Sequence, residues 1–156
     1  RISKLITKKL FGSLSNKKII MLGFAFKANT NDTRESAAIG ISKDLLAEGA
    51  SLHIHDPKVN PDQIANDLGI PQNEENNKEI FSEEGRWYFV KDIYEAVKGA
   101  DAILVITEWE TYSKIDWLKV SKSMRKPAWV FDSRSILIPE KVKESGLNFW
   151  RIGDGS

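Results

Sequence analysis

The apolar positions of this chain alternate between short continuous runs and stretches with helical spacing. Ile2, Leu5, Ile6 and Leu10 recur at helical spacing, so residues 1–12 are predicted to be the end of a helix. A glycine and a run of polar residues then stop that helix. No capping residues precede it, and we therefore expect the chain to have been cut from something longer.

From residue 17 onward, β-branched and aromatic runs alternate with helical patterns. The predicted strands are residues 17–22, 51–55, 87–90, 102–107, 129–132 and 148–152. The predicted helices between them are residues 38–49, 61–69, 93–98, 117–124 and 140–145. Residues 71–86 are rich in asparagine and glutamate, which predicts a solvated loop or insertion.

Strands that alternate with helices at this spacing indicate βαβ units. The predicted fold is therefore α/β: a doubly wound, mainly parallel, Rossmann-like sheet in a single domain over residues 17–156. Ligands of such folds bind outside the carboxyl ends of the strands, where the strand order reverses. Polar residues follow four of the predicted strands, at residues 27–36, 56, 107–109 and 132–134, so we expect them to meet at one rim.

Composition narrows the class of protein. With 156 residues, 41% hydrophobic and 29% charged, the chain is typical of a soluble globular domain. No apolar run approaches the roughly 20 residues that cross a bilayer, and no secretion signal is visible, so the expected location is the cytoplasm. A net charge of +1 predicts no strong attraction to nucleic acid or to a membrane surface.

The chain contains no cysteine. This excludes disulfides, thiolate metal sites and a cysteine nucleophile within the chain. His53 and His55 share one face of a predicted strand, a spacing that can bind metal, but no third ligand is evident and we predict no metal site.

Two cations lie between the first strand and the first helix. Lys27 and Arg34 are placed where main-chain amides and the helix dipole favour an anion, which indicates a diphosphate or carboxylate site. In the alternative interpretation they pair with Asp32 and Glu35 and only shape the loop. Arg134 ends the fifth strand, where it can clamp a phosphate or pair with the neighbouring Asp132.

The turn after the first strand lacks the glycines of a dinucleotide-binding fingerprint, because residues 24–28 read FAFKA. This argues against NAD lying on this sheet, though not against another nucleotide. Phe26 either stacks on a base or packs beneath the loop, and from the residues alone packing is favoured. Asp56 ends the second strand, where a ribose-binding carboxylate often lies, but Pro57 follows it and a turn is favoured.

Four segments of the chain resemble a known family. The run GFAFKANTNDTRES at residues 23–36 resembles the motif G-x-A-F-K-x-x-T-x-D-x-R-E-S of the UDP-glucose/GDP-mannose dehydrogenase family. HDPKV at residues 55–59, TEW at 107–109 and FDSR at 131–134 are also similar to family motifs, in the family's order. The DTRES and HIHDPKV runs are more similar to the animal-type branch that oxidises UDP-glucose than to the GDP-mannose branch.

This resemblance implies a two-step oxidation of UDP-glucose to UDP-glucuronate, with two NAD consumed and a thiohemiacetal formed on a catalytic cysteine. It implies that the NAD-binding domain and that cysteine precede this segment. Residues 1–12 would end a long central helix that joins the subunits of a homo-oligomer. No catalytic residue is then expected in this chain, which alone would be inactive and would bind the UDP-sugar.

The family's functional residues map onto four positions. Phe26 and Lys27 resemble the pair that contacts the bound UDP-sugar, Arg134 resembles an arginine at the substrate, and Arg34 resembles the arginine that reaches across the cleft toward NAD. Ser133 stands where the family usually has glycine, and a bulkier residue there can shift the loop of Arg134.

Three other functions stay open at this point. The domain could belong to a dehydrogenase acting on UDP-N-acetylmannosamine or GDP-mannose, or it could be a nucleotide-binding module without chemistry of its own. In a purely structural domain, the charges of the rim would form internal pairs.

Overall fold

The computed structural model describes residues 2–73 and 85–153, and in these residues it contains one six-stranded sheet with helices on both faces. The strands are β1 (Lys18–Leu22), β2 (Ser51–His55), β3 (Arg86–Phe89), β4 (Ala102–Val105), β5 (Trp129–Asp132) and β6 (Asn148–Arg151). The helices are α1 (Ile2–Lys9), α2 (Ala37–Ala47), α3 (Pro61–Leu68), α4 (Ile93–Ala96), α5 (Glu110–Ser113), α6 (Trp117–Ser123) and α7 (Pro139–Glu144).

The sheet is parallel throughout, with the order β3-β2-β1-β4-β5-β6. The chain therefore builds outward from β1 in one direction and from β4 in the other, which confirms the predicted doubly wound, Rossmann-like α/β fold. Ile19 of β1 lies opposite Leu52 of β2 on one side and Ala102 of β4 on the other. The reversal of strand order thus falls between β1 and β4.

The central strands are the most apolar because helices cover both of their faces. From Ile19 to Leu22 and from Ala102 to Val105 every side chain is buried. In β2 the burial alternates instead, with Leu52 and Ile54 in the core.

Helices that follow one another in the chain pack together on the sheet. Helix α1 packs against α2, α2 against α3, and α6 against α7. Right-handed crossovers in a sheet of this strand order put α2 and α3 on one face and α6 and α7 on the other. Helix α1 belongs to this core through Ile6, which is fully buried. A helix is therefore present where the sequence predicted one at the start of the chain, and it packs on the rest of the fold.

The structure differs from the sequence prediction in a few places. Helix α5 was not predicted, and β4 ends two residues earlier than the predicted 102–107. Residues 1, 74–84 and 154–156 lie outside the described residues, and with them most of the loop or insertion predicted at 71–86. Among the helices that are described, none is long and apolar enough to cross a membrane.

Candidate functional site

The loops after β1, β4 and β5 meet at one rim of the sheet. The β1 loop (residues 23–36) and the β4 loop (residues 106–109) flank the point where the strand order reverses, and the β5 loop (residues 133–136) lies on the β4 side. This is the place where doubly wound folds open a crevice for ligands.

Close packing between the β1 and β4 loops begins at Gly23. Its φ of 100° is rare for other residues, and a Cβ at this position would overlap Thr107. Thr107 is fully buried, and its hydroxyl donates a 2.9 Å hydrogen bond to the carbonyl of Ala25. The two loops are thereby held together at their bases.

Asp56, at the end of β2, accepts hydrogen bonds from both loops. Its Oδ2 accepts from the main-chain N–H of Phe24 at 2.8 Å and of Ala25 at 3.0 Å, and from the indole N–H of Trp109 at 3.2 Å. Its Oδ1 accepts from the N–H groups of Lys58 and Val59, at 2.8 and 2.9 Å, which confirms the predicted turn. The buried carboxylate is occupied by these bonds, so it is not placed to bind a ribose. The sequence indicated only the turn and not the two loops held by Asp56.

The β1 loop carries Phe26 and Lys27 on its surface. The Phe26 side chain is 44% exposed, so the packing favoured by the residues alone is wrong. Its position is set by its main chain, which donates a 2.8 Å hydrogen bond to the carbonyl of Asp32. Lys27 is also exposed, and its ammonium forms no hydrogen bond or ion pair with the described residues. The alternative interpretation, in which Lys27 pairs with Asp32 or Glu35, is therefore not observed as a hydrogen bond or ion pair within the described ranges. The charge of Lys27 nevertheless helps to lower the pKa of Asp32.

Arg34 does form the ion pair that the sequence left open. Its Nε and Nη2 donate to the two carboxylate oxygens of Asp32, at 3.1 and 2.9 Å, and its main-chain N–H donates to Oδ1 at 2.9 Å. Hydrogen bonding to the Arg34 side chain, and then to its main chain, lowers the pKa of Asp32 to about 2. The Arg34 side chain nevertheless stays 88% exposed, so its remaining donors face solvent.

Arg134 pairs with a different residue from the one considered. Its Nη2 donates to Oε2 of Glu108 in the β4 loop, and not to Asp132. The fully buried Asp132 accepts instead from the main-chain N–H of Arg134, at 3.0 Å, and from that of Leu137, at 2.9 Å. The hydroxyl of Ser133 donates to the carbonyl of Val105 at 2.6 Å, so the loop accommodates this side chain with a bond to β4.

Glu108 connects the β1 loop with the β5 loop. Its Oε1 accepts a 2.8 Å hydrogen bond from the main-chain N–H of Ala28, the residue after Lys27, while its Oε2 accepts from Arg134. Partial burial acts to raise its pKa, but hydrogen bonds from its own main chain, from Ala28 and from Arg134 outweigh this, and the pKa of Glu108 lies below its usual value. The sequence placed Glu108 at a strand end without indicating either partner.

A cavity of about 620 Å³ adjoins the rim, with a volume in the range of small-molecule pockets. It lies between α1, α2 and the ends of the last strands, and its lining includes Leu5, Ile41, Ser133, Arg134 and Trp150. Phe26 and Lys27 do not line it, so the cavity and the charged rim meet at Arg134.

Each of the two histidines contacts a tyrosine. His53 stacks on Tyr88 with ring centroids 4.7 Å apart, and burial lowers its pKa to about 4. Nδ1 of His55 lies 2.9 Å from the hydroxyl of Tyr112. Within residues 2–73 and 85–153 there is no cluster of three potential metal ligands.

The charged rim and its motifs match one protein family. The model of the "UDP-glucose/GDP-mannose dehydrogenase family, UDP binding domain" matches residues 20–139. The chain belongs to this family. The matched range contains Phe26, Lys27, Arg34 and Arg134, and also the residues that hold the loops together.

Full-length relatives within this family are considerably longer. The UDP-glucose 6-dehydrogenase of Drosophila melanogaster is 42% identical over 153 residues, which cover 98% of this chain and 32% of that protein. The UDP-glucose 6-dehydrogenase of Gallus gallus is 45% identical over 156 residues, which cover 98% of this chain and 31% of that protein. The chain thus spans about a third of the length of these relatives.

Solved structures of other dehydrogenases share the fold. The chain resembles the NDP-N-acetyl-D-galactosaminuronic acid dehydrogenase of Methanosarcina mazei with a TM-score of 0.72 and 23% identity, over 97% of this chain and 28% of that one. It resembles the UDP-glucose dehydrogenase of Pyrobaculum islandicum with a TM-score of 0.67 and 24% identity, over 95% of this chain and 28% of that one. These likenesses support the α/β architecture of this chain.

Proposed function

We propose that this chain is the UDP-sugar-binding domain of a dehydrogenase that oxidises UDP-glucose to UDP-glucuronate with NAD. Residues 17–156 would form one wall of the substrate cleft, and residues 1–12 would end the central helix through which the full-length protein forms a homo-oligomer. The branch of the family is supported by relatives at 42% and 45% identity that are UDP-glucose 6-dehydrogenases.

The observation that carries this proposal is the placement of Lys27. Its ammonium lies exposed on the loop that follows β1, next to the reversal of strand order, and forms no hydrogen bond or ion pair with the described residues. An exposed cation at such a rim is suited to an anionic nucleotide. On the other side of the β4 loop, Arg134 gives one N–H to Glu108 and keeps the rest of its guanidinium for a second contact with the ligand.

Phe26 supplies an apolar contact beside these two charges. An exposed aromatic ring next to a cation can pack against a base or a sugar face. In the proposed site Phe26, Lys27 and Arg134 therefore contact the UDP-sugar, and the buried Asp56 and Thr107 keep their loops in place.

We do not propose this domain as the principal binding site of NAD. The β1 turn lacks the fingerprint glycines, and Asp56, at the position of a ribose-binding carboxylate, is buried and already accepts five hydrogen bonds. Arg34 is the residue of this chain that we propose to reach the cofactor, from the exposed side of the β1 loop. Most of the NAD site and the catalytic cysteine would belong to the rest of the enzyme.

A titration of UDP into the ¹⁵N-labelled chain tests the proposal directly. Amide NMR detects millimolar affinities, which correspond to about −4 kcal/mol. We expect saturable shifts for amides of residues 24–36, 107–109 and 133–135, and weaker shifts with GDP at the same concentrations. If UDP leaves these amides unchanged, or shifts amides on another surface, the proposed site is wrong.

A further inference from the structure

Glu108 makes a contact on each side of the crevice. One carboxylate oxygen accepts from the main chain at Ala28, and the other accepts from the guanidinium of Arg134. The Ala28 peptide follows Lys27 directly, so this bond restrains the main chain that carries the lysine. A single side chain thereby connects the β1 loop with the β5 loop.

The main chain at Glu108 is itself held on both sides. Thr107 is buried and bonded to the carbonyl of Ala25, and the indole of Trp109 is bonded to Asp56. A side chain that extends from a backbone anchored in this way can hold its partners within a narrow range of positions.

This pair differs from the other glutamate pairs of the described chain. Lys98–Glu95 and Lys114–Glu110 join residues three and four positions apart, and both partners are mostly exposed. Glu108 and Arg134 are 26 residues apart, and their side chains are only 32% and 37% exposed. Exposed local pairs add little to a fold, whereas this pair fixes the relative position of two loops.

We infer that Glu108 is a positioning residue that holds Lys27 and Arg134 at the separation needed to bind the two ends of one anionic ligand. The inference rests on the proposed UDP-sugar site. The guanidinium of Arg134 has five N–H donors and donates one of them to Glu108. Other donors of this planar group stay available for the ligand. Without Glu108 the arginine would have to be ordered by the ligand, which weakens binding.

A double-mutant cycle on UDP affinity tests this role. Glu108→Gln keeps an oxygen for the Ala28 N–H but loses the charge that holds Arg134. We expect UDP to bind about three- to tenfold more weakly to this variant, the cost of ordering one long side chain. In an Arg134→Ala background the same substitution should change the affinity by less than about twofold, because there is no arginine left to position. An equal loss in both backgrounds, or tighter binding by Glu108→Gln, would overturn the inference.

The matched control is Glu110→Gln, two positions along the chain on an exposed residue that pairs locally with Lys114. It should leave the UDP affinity unchanged. The ¹⁵N relaxation of Arg134 Nε gives a measurement without ligand: its side chain should be ordered in the wild type and mobile in Glu108→Gln. An arginine that is equally ordered in both proteins would contradict a positioning role.

The outcomes separate this inference from the proposed function. If wild-type chain shows no UDP binding at the rim, the proposed function is wrong. If wild type binds UDP and Arg134→Ala weakens it while Glu108→Gln does not, the site stands and the role of Glu108 is refuted.

Discussion

The indole N–H of Trp109 donates a 3.2 Å hydrogen bond to Oδ2 of Asp56, linking the end of β2 to the loop after β4. The same oxygen accepts the main-chain N–H groups of Phe24 and Ala25 from the loop after β1. One buried carboxylate therefore holds three loops of the rim in place. Asp56 itself does not contact the ligand in the proposed site.

Asp56→Asn should lower the free energy of unfolding by about 2–3 kcal/mol. Both oxygens of Asp56 accept N–H groups, and in the variant the buried side-chain NH₂ would face N–H groups that it cannot accept. Urea unfolding followed by circular dichroism measures this change. Asp62→Asn, on an exposed residue in the first turn of α3, is the control and should cost at most about 1 kcal/mol. Equal unfolding midpoints for wild type and Asp56→Asn would show that the network contributes little.

The fold was predictable from the sequence because its main signal is periodic. Continuous apolar runs such as β1 and β4 are typical of strands covered on both faces, and helical spacing marks α2. Helix α5, from Glu110 to Ser113, is a single turn, which is too short to show a periodic pattern, and it was therefore not predicted.

The site was predictable only in part. Lys27, Arg34 and Arg134 could be placed at the rim because charged residues follow strand ends, and strand ends meet at one rim. Which carboxylate each cation pairs with depends on the distance between loops that are far apart in sequence. For this reason the local pair of Arg34 with Asp32 was foreseen as an alternative, while the partner of Arg134, 26 residues away, was not.

Acidification should destabilise the fold through His53. Burial lowers its pKa to about 4 in the folded chain, whereas an unfolded histidine titrates near about 6.5. The stability that this difference provides is fully present above about pH 6.5 and is lost as the pH falls toward about 4, because the unfolded chain then binds a proton that the folded chain does not. Urea unfolding across this range, with NMR titration of the imidazole, measures both effects.

The control for this titration is His53→Phe, which keeps an aromatic ring against Tyr88 but carries no titratable group. Its stability should fall less steeply between pH 7 and pH 4. His55, whose pKa burial also lowers, is retained and gives a residual slope of the same sign. A His53 that titrates near its ordinary value in the folded chain would contradict the expectation.

The chain alone should oxidise no UDP-glucose. It has no cysteine to form a covalent intermediate, and its β1 turn lacks the glycines that would bind the pyrophosphate of NAD. Absorbance at the NADH maximum, with UDP-glucose and NAD in excess, should stay at the level of a protein-free blank. Sustained NADH formation by pure chain would refute the proposed division of the reaction between two domains.

Arg34 should serve the cofactor and not the uridine moiety. In the dehydrogenase proposed to contain this domain, Arg34→Ala should weaken NAD binding and leave UDP affinity nearly unchanged, because the exposed guanidinium projects from the outer part of the β1 loop. Equilibrium binding of each ligand separately measures the two effects. Equal losses for NAD and UDP would mean that the pair with Asp32 only maintains the loop.

Lys27 should contribute more to UDP-sugar binding than any other residue of this chain. Its ammonium lies on the loop that follows β1 and forms no hydrogen bond or ion pair with the described residues, so no such bond has to break before it contacts a ligand. Within the described ranges its charge acts on Asp32, whose pKa it helps to lower. Losing a charge-assisted hydrogen bond costs on the order of 1.5–3 kcal/mol, or roughly ten- to hundredfold in affinity. Lys27→Ala should therefore weaken UDP-glucose binding by that factor with little change in melting temperature, since the side chain is exposed.

The comparison is made in the full-length dehydrogenase proposed above, because UDP-glucose is expected to bind more tightly to a complete cleft, where a roughly tenfold loss is measured accurately by calorimetry. Calorimetric titration of UDP-glucose into wild type and Lys27→Ala gives the two affinities, and thermal melting verifies the fold of each protein. Lys43→Ala, at an exposed position within α2, removes the same charge away from the rim and should leave both measurements unchanged. If Lys27→Ala binds UDP-glucose as tightly as wild type in two equally stable proteins, Lys27 is not a substrate ligand, and the exposed cation in the loop after β1 needs another explanation.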